Sequence, residues 1–269
     1  METLPDLSWK DCSSDEQTEA LQLATTAFRA MLAYDDPSTV EARFQKQGQG
    51  EADPVAASVF QSGQNFVHIE QDNSYACAWE EVSGGETDLY LVFRGTEITS
   101  MQDVEDDLEA IPSTADWFPQ DARVHEGFLE HLAKVQPQLD ELLAQAAAQN
   151  VRHVSFIGHS LGGATAFLAA YRYLALKGNL PVAITTFAAP RIGSEAFSRW
   201  SGILSSVTST PVQVVVNKED IVPSLPFFFH IPWFTKRKVL HRAQDLGPLE
   251  AHSMKEYYSR CKAVPMKKR

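Results

Sequence analysis

One stretch constrains the fold of this chain more than any other: an apolar run that ends in Gly-His-Ser-Leu-Gly-Gly at residues 158–163. β-Branched and aromatic side chains dominate residues 154–157, which is typical of a buried strand. Small apolar residues at 164–170 are typical of a buried helix. A strand, a sharp turn that carries a serine, and a helix form the setting of a nucleophile elbow. The stretch therefore predicts that Ser160 is a nucleophile.

The glycines around this serine have a steric role. In an elbow, strand and helix approach so closely at Gly158 and Gly162 that a Cβ would clash. Leu161 opens the helix, so its N–H lacks a helical partner and lies at the positive end of the helix dipole, where it can hold an oxyanion. The alternative is a glycine-rich connection without chemistry. The apolar strand and the small-residue helix favour the elbow.

Length and patterning predict one large α/β domain. The chain has 269 residues, 44% of them hydrophobic, which is enough to bury a full core. Strand-like and helix-like runs alternate, which predicts a mostly parallel central sheet with helices on both faces. Together with the elbow, this pattern indicates an α/β-hydrolase fold. We expect residues 1–269 to form a single domain, with residues 1–50 as an N-terminal helix and an exposed connection packed on it.

Hydrophobic periodicity predicts the elements along the chain. The first is an amphipathic helix at about residues 14–34, followed by a polar connection at 38–54. Pro137 is expected to kink or split a long helix at 126–150. The last helix is expected at about residues 252–261. Strands are predicted at 55–60, 66–70, 75–82, 87–93, 182–187, 211–216 and 238–241, and a further helix at 194–204.

Charge and cysteine content limit the partners and the compartment. Lys and Arg total 23 against 35 Asp and Glu, and the net charge of −12 argues against nucleic acid and anionic membranes. The three cysteines cannot all pair with one another, which favours a reducing compartment. The first residues lack a basic and apolar leader, and no run is long enough to span a bilayer. We therefore expect a cytoplasmic location, with export by a signal-less route left open.

A serine nucleophile needs a base to take its proton and a carboxylate to orient that base. In the fold expected here, both follow the serine along the chain. Asp220 fits the acid because it closely follows an apolar, strand-like run, and Glu219 is the alternative. The base is either His252 or His241, which occupy suitable loop positions. His230 lies in an aromatic run and is a weaker choice.

Five short motifs occur in order along the chain: Phe-Arg-Gly-Thr (93–96), Val-His-Glu-Gly-Phe (124–128), Gly-His-Ser-Leu-Gly-Gly (158–163), Thr-Phe-Ala-Ala-Pro-Arg-Ile-Gly (186–193) and Asp-Ile-Val-Pro (220–223). Each motif is weak by itself, but together they are specific. Their order and spacing resemble those of the class 3 lipases, which are fungal-lipase-like α/β-hydrolases. The resemblance extends over about residues 55–260.

The resemblance implies further site residues. Thr96 matches the position whose hydroxyl and N–H supply the second half of an oxyanion hole, and Asp107 resembles the aspartate that orients this hydroxyl. His252 matches the catalytic histidine, whereas His241 matches a recurrent histidine that is not catalytic. The predicted site therefore has a triad of Ser160, Asp220 and His252, and an oxyanion hole of Thr96 and Leu161 supported by Asp107.

The segment between Thr96 and Asp121 departs from the pattern of this family. Between Thr96 and Asp107 it is slightly longer than in the fungal forms, and Val104 stands where a tryptophan is common. Both changes fall where the family's mobile lid is expected, so lid size and interfacial activation are left open. Val104 and Leu108 are the candidate lid and substrate-binding residues in this segment.

The apolar run at residues 225–234 has two possible roles. It is either filler in the core or an exposed rim that grips acyl chains or a lipid surface. The prolines in and beside this run favour a loop over a helix or a central strand. We therefore expect a rim, with Phe228 and Trp233 as candidate substrate-binding residues.

The sequence thus predicts a serine carboxylic-ester hydrolase of the triacylglycerol lipase type, acting on a lipid or ester substrate, at a lipid–water interface where one is present. No metal or organic cofactor, nucleic acid, transmembrane segment or protein partner is expected. A phospholipase A1 or an acyltransferase with the same triad is the alternative among enzymes. A non-catalytic lipid-binding protein is the alternative outside them, because a fold does not determine a function. The intact triad argues against that last alternative.

Replacing the nucleophile tests this chemistry directly. Ser160→Ala should abolish ester hydrolysis, by roughly 10⁵-fold or more, because the hydroxyl is the only group proposed to bond covalently to substrate. Release of p-nitrophenol from p-nitrophenyl esters measures the rate, and circular dichroism checks the fold. Retained turnover in a folded Ser160→Ala protein would exclude the mechanism.

Overall fold

Three helices form most of the described N-terminal part of the chain. The computed structural model describes residues 14–96, 111–149, 151–227, 229–230, 235–240 and 246–263. The described N-terminal helices are α1 (Ser14–Leu32), α2 (Pro37–Gln45) and α3 (Pro54–Ser62). Helix α1 matches the predicted amphipathic helix. The other two differ from prediction, since residues 38–54 were expected to be an exposed connection and residues 55–60 a strand.

Two Asp-Pro pairs explain these helices. The Asp36 side chain accepts a hydrogen bond from the backbone N–H of Thr39 at 3.0 Å and caps α2. Asp53 caps α3 in the same way, accepting from the N–H of Val55 at 3.0 Å. Each cap is followed by a proline, whose φ suits the first helical position and whose missing N–H needs no partner there. These start signals outweigh the β-branched side chains that favoured a strand.

A single large sheet forms the centre of the molecule. In the described part of the chain it has seven strands, in the order β1-β2-β3-β6-β7-β8-β9. The first three strands pair antiparallel through two-residue turns at 72–73 and 84–85, where both residues have positive φ. From β3 to β9 the strands run parallel. The sheet strands are β1 (Gly63–Gln71), β2 (Ser74–Ser83), β3 (Glu86–Phe93), β6 (His153–His159), β7 (Val182–Phe187), β8 (Val212–Asn217) and β9 (Lys236–Leu240), and a separate pair consists of β4 (Pro112–Ser113) and β5 (Val124–His125).

Helices connect the parallel strands. The described ones are α4 (Glu126–Ala148), α5 (Leu161–Ala175), α6 (Glu195–Thr208), α7 (Pro248–His252) and α8 (Met254–Ala263), and a 3₁₀ turn covers Val222–Ser224. Helix α4 continues through Pro137, so the proline does not split it. The predicted last helix corresponds to α8, and the short helix α7 precedes it, separated by Ser253 with its extended ψ of 133°. Among the described helices, none combines bilayer-spanning length with the apolar character that lipid requires.

The sheet separates two apolar cores. Leu91 and Phe93 of β3 point into one core, where they meet residues of α4, α5 and α6. Val92, between them, points into the other core, which contains residues of α1, α2, α3 and α8. This alternation is what a strand buried on both faces requires. The prediction of a mostly parallel sheet with helices on both faces, the α/β-hydrolase fold, is therefore confirmed.

The parallel strands bring distant segments to one edge of the sheet. In register, Phe93 at the end of β3 pairs with Gly158, and Phe187 at the end of β7 pairs with His159. The segments that follow β3, β6 and β8 therefore leave the sheet at their shared carboxyl edge. This is the edge at which open α/β sheets build their sites.

Gly162→Ala should destabilise the fold. A Cβ at this position would lie 2.2 Å from the carbonyl oxygen of Phe93, so α5 and β3 would have to separate. Overpacking of this kind costs about 1–3 kcal/mol of unfolding free energy, measurable by urea denaturation. Gly247→Ala is the control, because a Cβ there meets nothing within 4 Å, and a change within about 0.5 kcal/mol is expected. Equal stability of the two variants would contradict the close approach.

Candidate active site

Ser160 occupies the turn between β6 and α5 in a conformation that non-glycine residues rarely adopt. Its φ is 57° and its ψ is −129°, which stores backbone strain at the turn. The Ser160 N–H donates to the carbonyl of Phe187 at 2.9 Å. A Cβ on Gly158 would lie 2.1 Å from the carbonyl oxygen of Gly162. Strand and helix thus meet without intervening side chains, as the spacing of the glycines predicted.

His252 lies between Ser160 and Asp220. Its Nε2 is 2.9 Å from Ser160 Oγ, and its Nδ1 is 3.0 and 3.1 Å from the two carboxylate oxygens of Asp220. All three residues are buried. An ionised carboxylate only accepts, so Nδ1 carries the proton and Nε2 is free to accept the proton of the serine. The three residues predicted from sequence therefore meet in one hydrogen-bonded unit.

Two further donors hold the carboxylate of Asp220. The N–H of Val222 donates to Oδ1 at 3.0 Å, and the hydroxyl of Tyr257 donates to Oδ2 at 2.8 Å. The N–H of Asn217 donates to the same hydroxyl at 2.8 Å. Burial, and then the Asp220 charge, raise the pKa of Tyr257 well above 10, so its hydroxyl stays protonated. Sequence reasoning missed Tyr257, since an aromatic residue on the last helix is most simply core.

The alternative acid and bases lie elsewhere. Glu219 accepts from Arg260 at 2.6 Å. Burial by itself would raise the pKa of Glu219, but the bond to Arg260, a backbone hydrogen bond and the charges of Arg260 and Lys218 together outweigh burial and lower this pKa below its usual value. His230 is exposed and pairs through its backbone with Gly193, while His241 lies outside the described residues. Within the described ranges, no group of three His, Cys, Asp or Glu side chains is arranged to bind a metal ion.

The two predicted oxyanion donors belong to segments that adjoin Ser160. Leu161 is the first residue of α5, where N–H groups have no helical acceptor. Gly95 packs on the elbow, since a Cβ there would lie 2.9 Å from Ser160 Cβ. Thr96, the next residue, is exposed at this edge of the sheet. The predicted supporting and lid residues, Asp107, Val104 and Leu108, lie outside the described residues.

The apolar run after the acid is divided between core and surface. Phe229 is buried and Phe227 is 72% exposed. Arg191 anchors this loop, because its Nη1 donates to the carbonyl of Phe227 at 2.9 Å. The predicted contact residues Phe228 and Trp233 lie outside the described residues. The described part of the run therefore contains one buried and one exposed phenylalanine.

Comparison with known proteins identifies the family. The family described as lipase (class 3) matches residues 90–230, which is just over half of the chain. The chain belongs to the class 3 lipase family. The predicted resemblance is confirmed. A lipase from Rhizomucor miehei is 35% identical over 150 residues, which cover 52% of this chain and 38% of that lipase. The chain thus matches well under half the length of this curated relative.

Solved structures agree with this membership. The triacylglyceride lipase of Rhizomucor miehei superimposes with a TM-score of 0.62 at 26% identity, covering 87% of this chain and 82% of that one. A triacylglycerol lipase described as having a serine-protease triad at its catalytic centre superimposes with a TM-score of 0.63 at 25% identity, covering 86% and 81%. The likeness includes the N-terminal part of the chain, which lies outside the family match.

The relatives contradict the expected cytoplasmic location. A secreted mono- and diacylglycerol lipase 2 from Gibberella zeae is 29% identical over 173 residues, which cover 54% of this chain and 41% of that protein. The relatives that are described as secreted point to an extracellular location, so the prediction is wrong. The cysteines do not require a reducing compartment, because burial raises the pKa of both Cys77 and Cys261 to about 12. Buried, protonated thiols are protected from oxidation.

Asp220→Asn should lower kcat by roughly 10⁴-fold, because an amide in this position favours the wrong tautomer of His252. Glu219→Gln is the matched control at the neighbouring position. It weakens the ion pair with Arg260, so it should change stability and leave kcat close to that of the wild type. Ester hydrolysis and thermal unfolding separate the two effects. A Glu219→Gln enzyme that is inactive beside an active Asp220→Asn enzyme would reverse the assignment.

Proposed function

We propose that this protein is a serine carboxylic-ester hydrolase that acts on lipid esters, of the triacylglycerol lipase type. One observation carries the proposal: the hydrogen bonds run without a break from Asp220 through His252 to Ser160 Oγ. Membership of the class 3 lipases supports acyl esters as the substrate class. The names of the matched proteins, which include triacylglycerol and diacylglycerol lipases, support glycerides in particular.

In the first half of the reaction, Ser160 Oγ attacks the ester carbonyl carbon while Nε2 of His252 takes the hydroxyl proton. The carbonyl electron pair moves to oxygen and forms a tetrahedral oxyanion. Asp220 stabilises the imidazolium that results. Collapse of the intermediate breaks the ester C–O bond, and His252 gives its proton to the departing alcohol. Ser160 is left as an acyl ester.

Water completes the reaction. His252 takes a proton from a water molecule, whose oxygen attacks the acyl carbon of the acyl-enzyme. The second intermediate collapses, the bond to Ser160 Oγ breaks, and the proton on His252 returns to the serine. The products are a free fatty acid and the regenerated enzyme. The complete reaction consumes only the ester and one water molecule.

The oxyanion is held by donors from two segments. The N–H of Leu161 and the N–H and hydroxyl of Thr96 are proposed to bind it, and Asp107 is proposed to orient that hydroxyl. Each such donor is worth about 10²–10³ in kcat. The position of Leu161 at the first turn of α5 adds the positive end of the helix dipole.

Lipid contact is proposed at the loop that follows Asp220. Phe227 is 72% exposed there, which is unusual for so large an apolar side chain. The formal net charge of −12 offers no attraction to anionic lipid, so burial of apolar area must supply it. Phe228 and Trp233 in the same run, and Val104 and Leu108 in the lid segment, are proposed to share this contact.

Two assays test the proposed function. Covalent labelling of Ser160 by a fluorophosphonate separates a hydrolase from a non-catalytic lipid-binding protein, which would not react. Fatty-acid release from triolein and from phosphatidylcholine separates a triacylglycerol lipase from a phospholipase A1. We expect labelling that Ser160→Ala abolishes, together with faster release from triolein. Labelling with release only from phosphatidylcholine would replace the proposed substrate class.

Phe227→Ser should weaken hydrolysis of emulsified triolein by roughly tenfold to a hundredfold, since burying a phenylalanine contributes about 1.5–3 kcal/mol. Hydrolysis of soluble p-nitrophenyl acetate should hardly change. Val207→Ser is the matched control, because Val207 is 77% exposed near the end of α6, which leads to the opposite edge of the sheet. An equal loss on both substrates, or the same loss in Val207→Ser, would argue against a lipid contact at Phe227.

A further inference from the structure

A continuous series of hydrogen bonds crosses the site behind the triad. The N–H of Gly95 donates to the hydroxyl oxygen of Tyr34 at 3.0 Å. The same oxygen is 2.7 Å from Nδ1 of His159, and Nε2 of His159 is 2.7 Å from the carbonyl oxygen of His252. The series therefore begins in the segment that carries Thr96 and ends on the backbone of the base.

The chemistry of the two ends determines the direction of every bond. A backbone N–H only donates, so the oxygen of Tyr34 accepts from Gly95. A carbonyl oxygen only accepts, so Nε2 of His159 carries a proton and donates to His252. In a neutral ring Nδ1 then has no proton and accepts from the hydroxyl of Tyr34. All donors and acceptors in the series are satisfied in this one arrangement.

His159 must be neutral for this arrangement to hold. Burial, and then the nearby His252, lower the pKa of His159 well below 6.5. The ring centroids of His159 and His252 are 4.8 Å apart. A positive charge on His159 would oppose the imidazolium that forms on His252 during the reaction. The hydroxyl of Tyr34 therefore selects the neutral tautomer that is compatible with catalysis.

We propose that Tyr34 is a positioning residue. It acts through Gly95 on the segment that carries Thr96, which we call the oxyanion segment, and through His159 on the backbone of His252. This inference rests on the proposed function. It gives the N-terminal region a part in the reaction, because Tyr34 lies two residues after the end of α1 and precedes the family match that begins at residue 90. Glycine at position 95 leaves room for this contact, because a Cβ there would lie 2.9 Å from the hydroxyl oxygen of Tyr34.

Tyr34→Phe removes the hydroxyl and keeps the ring, which packs edge-on against His159 with centroids 5.7 Å apart. We expect kcat for p-nitrophenyl butyrate to fall roughly tenfold to a hundredfold, the loss expected for one or two hydrogen bonds. KM should change by less than about threefold, because the hydroxyl positions catalytic groups and is not proposed to bind substrate. A folded Tyr34→Phe enzyme with wild-type kcat would overturn the proposal.

Tyr258→Phe is the matched control. Its hydroxyl donates to Asp53 at 2.6 Å, and its ring packs on Phe28 of α1 with centroids 5.6 Å apart. This variant loses a tyrosine hydroxyl beside the same helix, without a link to the triad. We expect lower stability and unchanged kcat. An equal fall of kcat in both variants would show that only the packing of α1 matters, and would overturn the proposal.

A double-mutant cycle tests the path through Gly95. Thr96→Val removes the proposed oxyanion hydroxyl, so the effect of Tyr34→Phe on kcat should be smaller in that background than in the wild type. If the fall in kcat of the double variant equalled the product of the two single falls, Tyr34 would not act through the oxyanion segment. That result would refute this half of the inference.

Nitrogen-15 NMR of histidine-labelled protein tests the other half without any assay of activity. In the wild type at neutral pH, His159 should give the signature of a neutral ring protonated at Nε2. Tyr34→Phe should shift the Nδ1 resonance, whereas Tyr258→Phe should not. A ring protonated at Nδ1, or a charged ring, would overturn the proposal even if Tyr34→Phe failed to fold. Absence of esterase activity in the wild type would instead refute the proposed function.

Discussion

The close approach of three backbone segments is the constraint on which the site depends. Gly158 and Gly162 bring strand β6 and helix α5 together, and Gly162 also brings α5 against the end of β3. No side chain fits between these segments, so the turn residue Ser160 is held at a positive φ that is unfavourable for a non-glycine residue. The packing of the buried cores on both sides of the sheet offsets the conformational energy of this strained turn. The same close approach of the segments places the first turn of α5 next to Ser160.

Polar groups behind the nucleophile are buried, and their hydrogen bonds decide where charge resides. His252, Val222 and Tyr257 all donate hydrogen bonds to the carboxylate of Asp220. His159, on the other side of His252, is held neutral by burial. Among the described residues of this hydrogen-bonded group, His252 is the one whose protonation the proposed reaction requires. Electrostatics and tautomer selection thus work together in the site.

Short patterns predicted the parts of the molecule that depend on local structure. The apolar run before Ser160, the small residues after it and the strand-like run before Asp220 each indicated their elements correctly. Residues 55–60 were predicted to be a strand because β-branched residues favour strands, yet the Asp53 cap makes them a helix. The cytoplasmic location failed for another reason. Cysteine count carries no information on compartment when thiols are buried beyond the reach of oxidants.

The sequence by itself determined the nucleophile elbow, the order of the triad and the class of fold, because a strand, a turn and a helix follow from neighbouring residues. The residues alone left His252, His241 and His230 open as the base, and only the tertiary structure shows that the ring of His252 lies within hydrogen-bond distance of Ser160 Oγ. Tyr34 and Tyr257 became part of the site in the same way. Both are aromatic residues in or beside a helix. The neighbouring sequence does not distinguish either of them from an ordinary core residue. Their hydroxyls meet the site because packing brings α1 and α8 to the same face of the sheet.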